Sequence, residues 1–404
     1  MSWETVRFGD LYAVESRNGL TKPGKVRGSG YKMINMGELF ANDRIYDIPM
    51  EFVPLKESEK LNARVECGDL LFARQSLVLE GAGKCSIVME VSPLTVFESH
   101  LIRVRLDRSQ ALPMFYYYYF RSSLSPVKSI VSQCAQAGIR GSDLQELQVI
   151  LPPIKVQQQI AEIISRYDDL IENSQKQIKL LEEAAQRLYK EWFVDLRFPG
   201  HETTPIVDGI PEGWSMCTAG NVIEFNPKTP LKKGCIKQSV PMTALSTSSM
   251  VLNSSEFTMT ESNSGAKFRN GDTLLARITP CLENGKTAFV AGITSEEGAV
   301  GSTEFIVMRA KKINPYMVYL LARTEEFRKT AINSMTGSDG RQRAQVDKIM
   351  QFPYLLAPQS TLEAFSQLVE PIFEQVYLKN SQIAQLSQAR DCLLPKLMSE
   401  EIEV

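Results

Sequence analysis

Three stretches carry residue types that could do chemistry, and each falls short of a working site. Gly285-Lys286-Thr287 ends like a phosphate-binding loop, but Pro280 stands where the first glycine of that loop belongs. Without that glycine the nest of backbone N–H groups that cradles phosphate does not form. The equivalent position before Gly83-Lys84 is Val78. Asn314-Pro315-Tyr316 has part of the tetrapeptide of adenine methyltransferases, yet it lacks the second proline and no glycine-rich cofactor loop precedes it. Asp69 with Lys84, or Asp272 with Lys286, suggests a metal-dependent nuclease. Such a site needs clustered carboxylates beside the lysine, and no Glu-x-Lys spacing occurs in either stretch. The chain has only two histidines, His100 and His201, and seven scattered cysteines without a CxxC pair. Zinc or histidine catalysis is not expected, and the thiols read as reduced and cytoplasmic.

What remains are long donors set beside glycines. Arg74, Lys84, Arg277 and Lys286 flank glycine turns, and Lys22, Lys25, Lys232 and Lys233 lie in two proline- and glycine-bearing loops. Arg140 and the run Arg341-Gln342-Arg343 occupy two further glycine-containing loops, from Ala137 to Ser142 and from Thr336 to Arg343. Arginine reads guanine through two hydrogen bonds, glutamine reads adenine likewise, and either cation also meets phosphate. These twelve residues are the candidate DNA contacts; surface salt bridging is the plain alternative for each. Phe115 to Phe120 invites base stacking, but its counterpart Met317 to Ala322 is merely apolar, so a buried helix explains both. Net charge is −2 overall, with +1 on residues 1–153 and +2 on 198–357, so any basic surface is local.

The donors recur because the chain repeats. Gly68-Asp69-Leu70-Leu71-Phe72-Ala73-Arg74 matches Gly271-Asp272-Thr273-Leu274-Leu275-Ala276-Arg277, and each is followed by a glycine turn with lysine, an alternating strand-like run, and a proline-opened helix. In the Gly-Asp pairs the expected role is a turn into a strand, with Arg74 and Arg277 held by local carboxylates. Both repeats end at a proline (Pro152-Pro153, Pro358) that precedes a long amphipathic stretch.

Those stretches position everything else. Ile160, Ile164, Tyr167, Ile171, Ser174, Ile178, Leu181, Ala185, Leu188 and Trp192 alternate by four and three, and 205 positions later the same spacing gives Phe365, Val369, Ile372, Val376, Lys379, Ile383, Leu386, Arg390, Leu393 and Leu397. A 3.5-residue period over about five heptads predicts two helices that pack along one another. Pro371 inside the second predicts a bend or a late start. The expected organisation is α+β: a globular domain at 1–153, a central coiled-coil helix at 154–197, a similar domain at 198–357 and a C-terminal coiled-coil helix at 358–404. No apolar run approaches a membrane span, and Met1-Ser2-Trp3-Glu4 does not open a signal peptide.

The order Leu151-Pro152-Pro153, Val156-Gln157-Gln158-Gln159-Ile160-Ala161, long helix, Phe198-Pro199-Gly200-His201-Glu202, Ile210-Pro211-Glu212-Gly213-Trp214, then the same plan again, resembles the DNA specificity subunit of type I restriction–modification enzymes. The resemblance spans essentially the whole chain. It implies two target-recognition domains, each reading half of a split site on double-stranded DNA, and antiparallel helices that bind two methyltransferase subunits. It further implies that S-adenosylmethionine, ATP and magnesium are used by methyltransferase and restriction/translocase partners, with no cofactor or metal on this chain, no catalysis by it, and a cytoplasmic location. The competing class is a coiled-coil adaptor that binds proteins without reading DNA; a self-sufficient nuclease is a further one.

Overall fold

The computed structural model describes residues 3–133, 137–338 and 340–404. Met1, Ser2, Cys134 and Asp339, which figure in the expectations above, lie outside the described residues. Two compact units emerge: Met1–Leu170 with Gln385–Val404, and Ile171–Ala384. The division crosses both long helices rather than falling at their ends.

In the first unit a five-stranded sheet runs in the order Tyr12–Asn18, Leu101–Leu106, Leu70–Ala73, Cys85–Val88, Arg44–Ile45. Leu70–Ala73 is apolar at every position and buried at every position, as a central strand covered on both faces must be. One of those covers is the helix Pro113–Arg121, where Phe115 to Phe120 are all buried. The other is a smaller sheet of Glu51–Val53, Tyr31–Ile34 and Val96–Phe97, whose Met33, Ile34 and Phe97 share a core with Leu71 and Ala73. The strands Glu4–Arg7 and Gln148–Leu151 pair antiparallel and close the globular part.

The second unit repeats this plan. Its main sheet is ordered Ile223–Phe225, Phe305–Ala310, Thr273–Ala276, Thr287–Phe289, with helix Pro315–Arg323 packed on it. Proline is the first residue of that helix, and the Asn314 side chain accepts a hydrogen bond from Met317 N at 2.8 Å. The strands Ser215–Thr218 and Pro353–Leu356 close this globular part in the same antiparallel manner. The turns entering the two central strands also agree. Gly68 and Gly271 have φ of 89° and 88°, a region open to glycine without steric cost.

The long helices are Ile154–Tyr189, continued by a π-helical turn at Lys190–Val194, and Gln359–Met398. The second does not start late: it begins twelve positions ahead of Pro371. Pro371 and Gln367, whose carbonyl loses its donor there, are both exposed, so water can serve that carbonyl. In both units the helices pair antiparallel. Phe365 packs on Phe193 and Trp192, with ring centroids 4.8 and 5.5 Å apart, in the second unit. In the first, Ile160 and Ile164 share a core with Leu394, Leu397 and Met398. All twenty seam positions named from the spacing are buried or half-buried.

Arg390 breaks the apolar seam and finds a specific partner. Its Nη1 donates to Asp168 Oδ1 at 2.7 Å, and Tyr118 Oη donates to Asp168 Oδ2 at 2.9 Å. Asp168 is 6% exposed, so removing only the cation strands a buried carboxylate. Arg390→Met should therefore lower stability by about 3 kcal/mol, read as a shift in urea midpoint. The double change Asp168→Leu with Arg390→Leu should recover most of that loss; a double variant no better than the single would refute the charge account.

Candidate nucleic-acid interface

The two central strands end at Arg74 and Arg277, and the main chain around each is built alike. Arg74 N donates to His100 O at 2.8 Å and Arg277 N to Glu304 O at 2.9 Å. On the other side Ile139 N donates to Arg74 O at 2.9 Å, and Ala344 N donates to Arg277 O at 2.8 Å. Each strand-end arginine is thus tied to the glycine-bearing loop that carries Arg140 or Arg341-Gln342-Arg343. Gly138 permits the approach: a Cβ there would sit 2.9 Å from the Arg74 carbonyl oxygen. Arg140 and Arg341 are exposed, and Gln342 is half-buried with its carbonyl accepting from Thr279 N at 3.1 Å.

Arg343 is engaged, donating from Nε and Nη2 to both oxygens of Glu304 at 2.7 to 3.0 Å. That hydrogen bonding, with the charges of Arg343 and Arg277, holds the Glu304 carboxyl below its ordinary range. Any anion that takes Arg343 must first displace this carboxylate.

Arg74 and Arg277 are not held by the local carboxylates expected for them. Asp69 takes Arg105 instead, at 2.7 and 2.8 Å, and Asp272 takes Arg309, at 2.7 Å twice. Both aspartates are 1% exposed and also accept a backbone N–H three residues earlier, from Glu66 and Arg269. The turn and the adjacent strand are thereby stapled together. The sign of this pairing in the sequence is a charged residue at a matching place inside both alternating runs, Arg105 and Arg309.

Several candidate cations are likewise committed. Lys84 Nζ donates to Phe40 O at 2.8 Å and lies 3.1 Å from Asp43; Lys286 Nζ donates to Met242 O at 2.9 Å. Each lysine pins the preceding short helix onto the sheet, the same job in both repeats. Lys22 pairs with Glu59 at 2.8 Å and Lys232 with Glu297 at 2.5 Å, whereas Lys25 and Lys233 stand exposed.

Arg277 is different. Its Nε is buried without a hydrogen-bond partner, and its side chain lines an open cleft of roughly 780 Å³ together with Lys228, Lys267, Asn226 and Thr303. Three cations and no carboxylate line this cleft, which suits an anion or an acceptor-rich base edge. Lys228 and Lys267 were not singled out from the sequence. The signal was there in part, since Lys228 sits in Asn226-Pro227-Lys228-Thr229-Pro230, a turn rigidified by two prolines. Among the described residues no group of three or more histidine, cysteine or acidic side chains is placed to hold a metal, and no helix is long and apolar enough to cross a membrane.

Residues 1–183 match the family described as Type I restriction modification DNA specificity domain. The Type I restriction enzyme MjaIX specificity subunit of Methanocaldococcus jannaschii is 25% identical over 401 residues, 94% of this chain and 92% of that protein. The Type I restriction enzyme EcoAI specificity subunit of Escherichia coli is 32% identical over 171 residues, 40% of this chain but 28% of that one. A crystal structure of the Type-I restriction-modification system S subunit from M. genitalium shares the fold, with a TM-score of 0.59 at 14% identity over 98% of this chain and 96% of that chain. The match to the specificity-domain family covers residues 1–183, and similarity to type I restriction enzyme specificity subunits runs along nearly the full length of the chain.

Proposed function

We propose that this chain is the DNA sequence-specificity subunit of a type I restriction–modification complex. It recognises a bipartite site on double-stranded DNA and positions adenine methyltransferase and nuclease/translocase subunits there, without catalysing a step itself. The observation that carries the reading is the duplicated patch: a strand-end arginine hydrogen-bonded through its main chain to a glycine-bearing, arginine-bearing loop, once in each repeat. Two like patches suit two half-sites. Phosphate contacts set the register of such a reader, and base-edge contacts give the sequence choice.

Half-buried Arg74, exposed Arg140 and Arg341, and the cleft around Arg277, Lys228 and Lys267, are the contacts assigned to DNA. Lys84 and Lys286 are assigned to the scaffold, because each ammonium is occupied by a main-chain carbonyl. S-adenosylmethionine, ATP and magnesium belong to the partner subunits in this reading, and the complex works in the cytoplasm with two methyltransferase subunits on the long helices. A methyltransferase reaches its adenine only after flipping it from the stack, so the specificity subunit must hold a duplex distorted in that way.

Replacing residues 198–357 with the matching domain of another specificity subunit should change one half-site of the methylated sequence and leave the other intact; sequencing of methylated adenines reads this out. Unaltered specificity in both halves would defeat the modular reading.

Arg277→Ala, assayed in complex with methyltransferase subunits, should weaken specific binding on the order of tenfold to a hundredfold, the value of one two-bond arginine contact to a base. Lys286→Ala should lower thermal stability and leave the salt dependence of DNA binding unchanged, because its ammonium never meets phosphate. Glu304→Gln should have the opposite sign from Arg277→Ala: releasing Arg343 should raise affinity for non-specific duplex and steepen its fall with salt by about one unit of slope.

A further inference from the structure

The first repeat carries an apolar tip beside its arginine patch, at Leu77-Val78-Leu79. These three consecutive side chains are 89%, 59% and 47% exposed. Single exposed leucines are ordinary; an exposed run of three is a fault in a folded surface unless it has a use. The turn that presents them is not slack. Ser76 Oγ accepts from Val78 N at 3.1 Å, Gly81 N donates to Val78 O at 3.2 Å, and Gly83 N returns to Ala73 O at 2.8 Å. Gly81 lies so close over Ser76 that a Cβ there would overlap the serine hydroxyl. A built turn is therefore holding the apolar side chains out.

Its position says what they face. The turn leaves the strand end at Arg74, and Gln75–Ser76 pairs with Ala137–Gly138, one residue of chain short of Ile139 and two short of Arg140. The apolar tip is thus continuous with the cationic patch of the first repeat. In the second repeat the same stretch is one residue shorter, runs Ile278-Thr279-Pro280-Cys281-Leu282, and buries Leu282 completely. The device belongs to one repeat only.

We propose that Leu77, Val78 and Leu79 form a wedge that inserts at a base step of the half-site read by the first repeat, with Arg74 and Arg140 holding the flanking phosphates. Leucine and similar side chains that enter a duplex in this way unstack one step and bend the DNA, and the bend lets more of the protein meet the backbone. A duplex fits better than a protein partner because cations flank the tip and the strands carrying them are those of the proposed DNA face. The wedge rests on the DNA-recognition reading above.

The test uses the full chain assembled with its methyltransferase subunits and a duplex carrying the methylated site. 2-Aminopurine, whose fluorescence rises on unstacking, is placed in turn at each position of the first half-site. The expected result is a rise at one step other than the methylated adenine. Leu77→Ser with Val78→Ser and Leu79→Ser should abolish that rise, leave the signal at the methylated adenine, and weaken specific binding about tenfold. The substituted side chains are exposed, so an unchanged melting temperature is the control for folding. A wild-type complex with no second unstacked step, or a triple variant with unchanged signal and affinity, overturns the wedge. A triple variant that no longer retains methyltransferase subunits makes the tip a protein contact and also overturns it. Absence of any sequence-selective binding by the wild-type complex sinks the DNA reading itself, a different outcome from all of these.

Discussion

In each unit the core beneath the proline-opened helix is incomplete without both long helices. The first unit needs Leu394, Leu397 and Met398 from the far end of the chain to cover Ile160, Ile164 and the helix Pro113–Arg121. The second needs Leu362, Phe365, Val369, Phe373 and Val376 to cover Tyr189, Trp192, Phe193 and the helix Pro315–Arg323. Apolar burial of this extent, roughly 1.5 to 3 kcal/mol for each large side chain taken out of water, is what holds the paired helices against the sheets. The seam is not uniformly greasy, however. Apolar contacts alone tolerate a slip of one heptad, because every heptad offers similar surface. Asp168 with Arg390 accepts no such slip between the helices, and Glu182, accepting from Met250 N at 2.7 Å and Ser249 Oγ at 2.8 Å, ties the first long helix to a loop of its own unit. A shift would leave buried charge without a partner, so the Asp168–Arg390 tie fixes register where burial supplies strength.

The same division of labour governs the globular parts. Asp69–Arg105 and Asp272–Arg309 are charge-assisted pairs that each carboxylate completes with a backbone N–H, so the turn, the central strand and its neighbour move as one piece. Lys84 and Lys286 fasten the preceding short helix to that piece. These ties brace the start of each central strand, and main-chain bonds to His100 and Ile139, or to Glu304 and Ala344, fix the other end, where Arg74 and Arg277 stand. A recognition surface that must place donors against base edges gains from such footing, since a side chain on a rigid strand end is already oriented before DNA arrives.

The sequence made the repeat plain, because Gly-Asp turns, glycine–lysine turns and proline-opened helices kept their order in both halves. The seam was legible for a similar reason: a 3.5-residue period needs no knowledge of the partner. Partner choice was less open to reading. Arg74 and Arg277 were expected to be held by local carboxylates, but the nearest in sequence, Asp69 and Asp272, are taken by Arg105 and Arg309, which the sheet brings alongside from 36 and 37 positions away. Pro371 illustrates the other failure. A proline inside a helix predicts disruption, but the cost depends on the surroundings of the orphaned carbonyl, and here Gln367 and Pro371 both lie exposed, where water can serve it.

The two repeats also differ in a way that composition conceals. They share scaffold pairs almost residue for residue, yet beyond Arg74 and Arg277 the chain takes opposite courses: an apolar turn held outward in the first, a turn with Leu282 buried and a cation-lined cleft beside it in the second. Drift in a duplicated scaffold relaxes surface residues toward ordinary polar ones. It does not account for three exposed apolar side chains on a turn braced by its own hydrogen bonds, nor for a buried guanidinium Nε without an acceptor. Both features cost stability in the isolated chain, and both are relieved by the same kind of ligand, one that offers stacked bases to the first and oxygen acceptors to the second. That cost is the physical reason to read each patch, taken by itself, as a contact awaiting a ligand of matching chemistry.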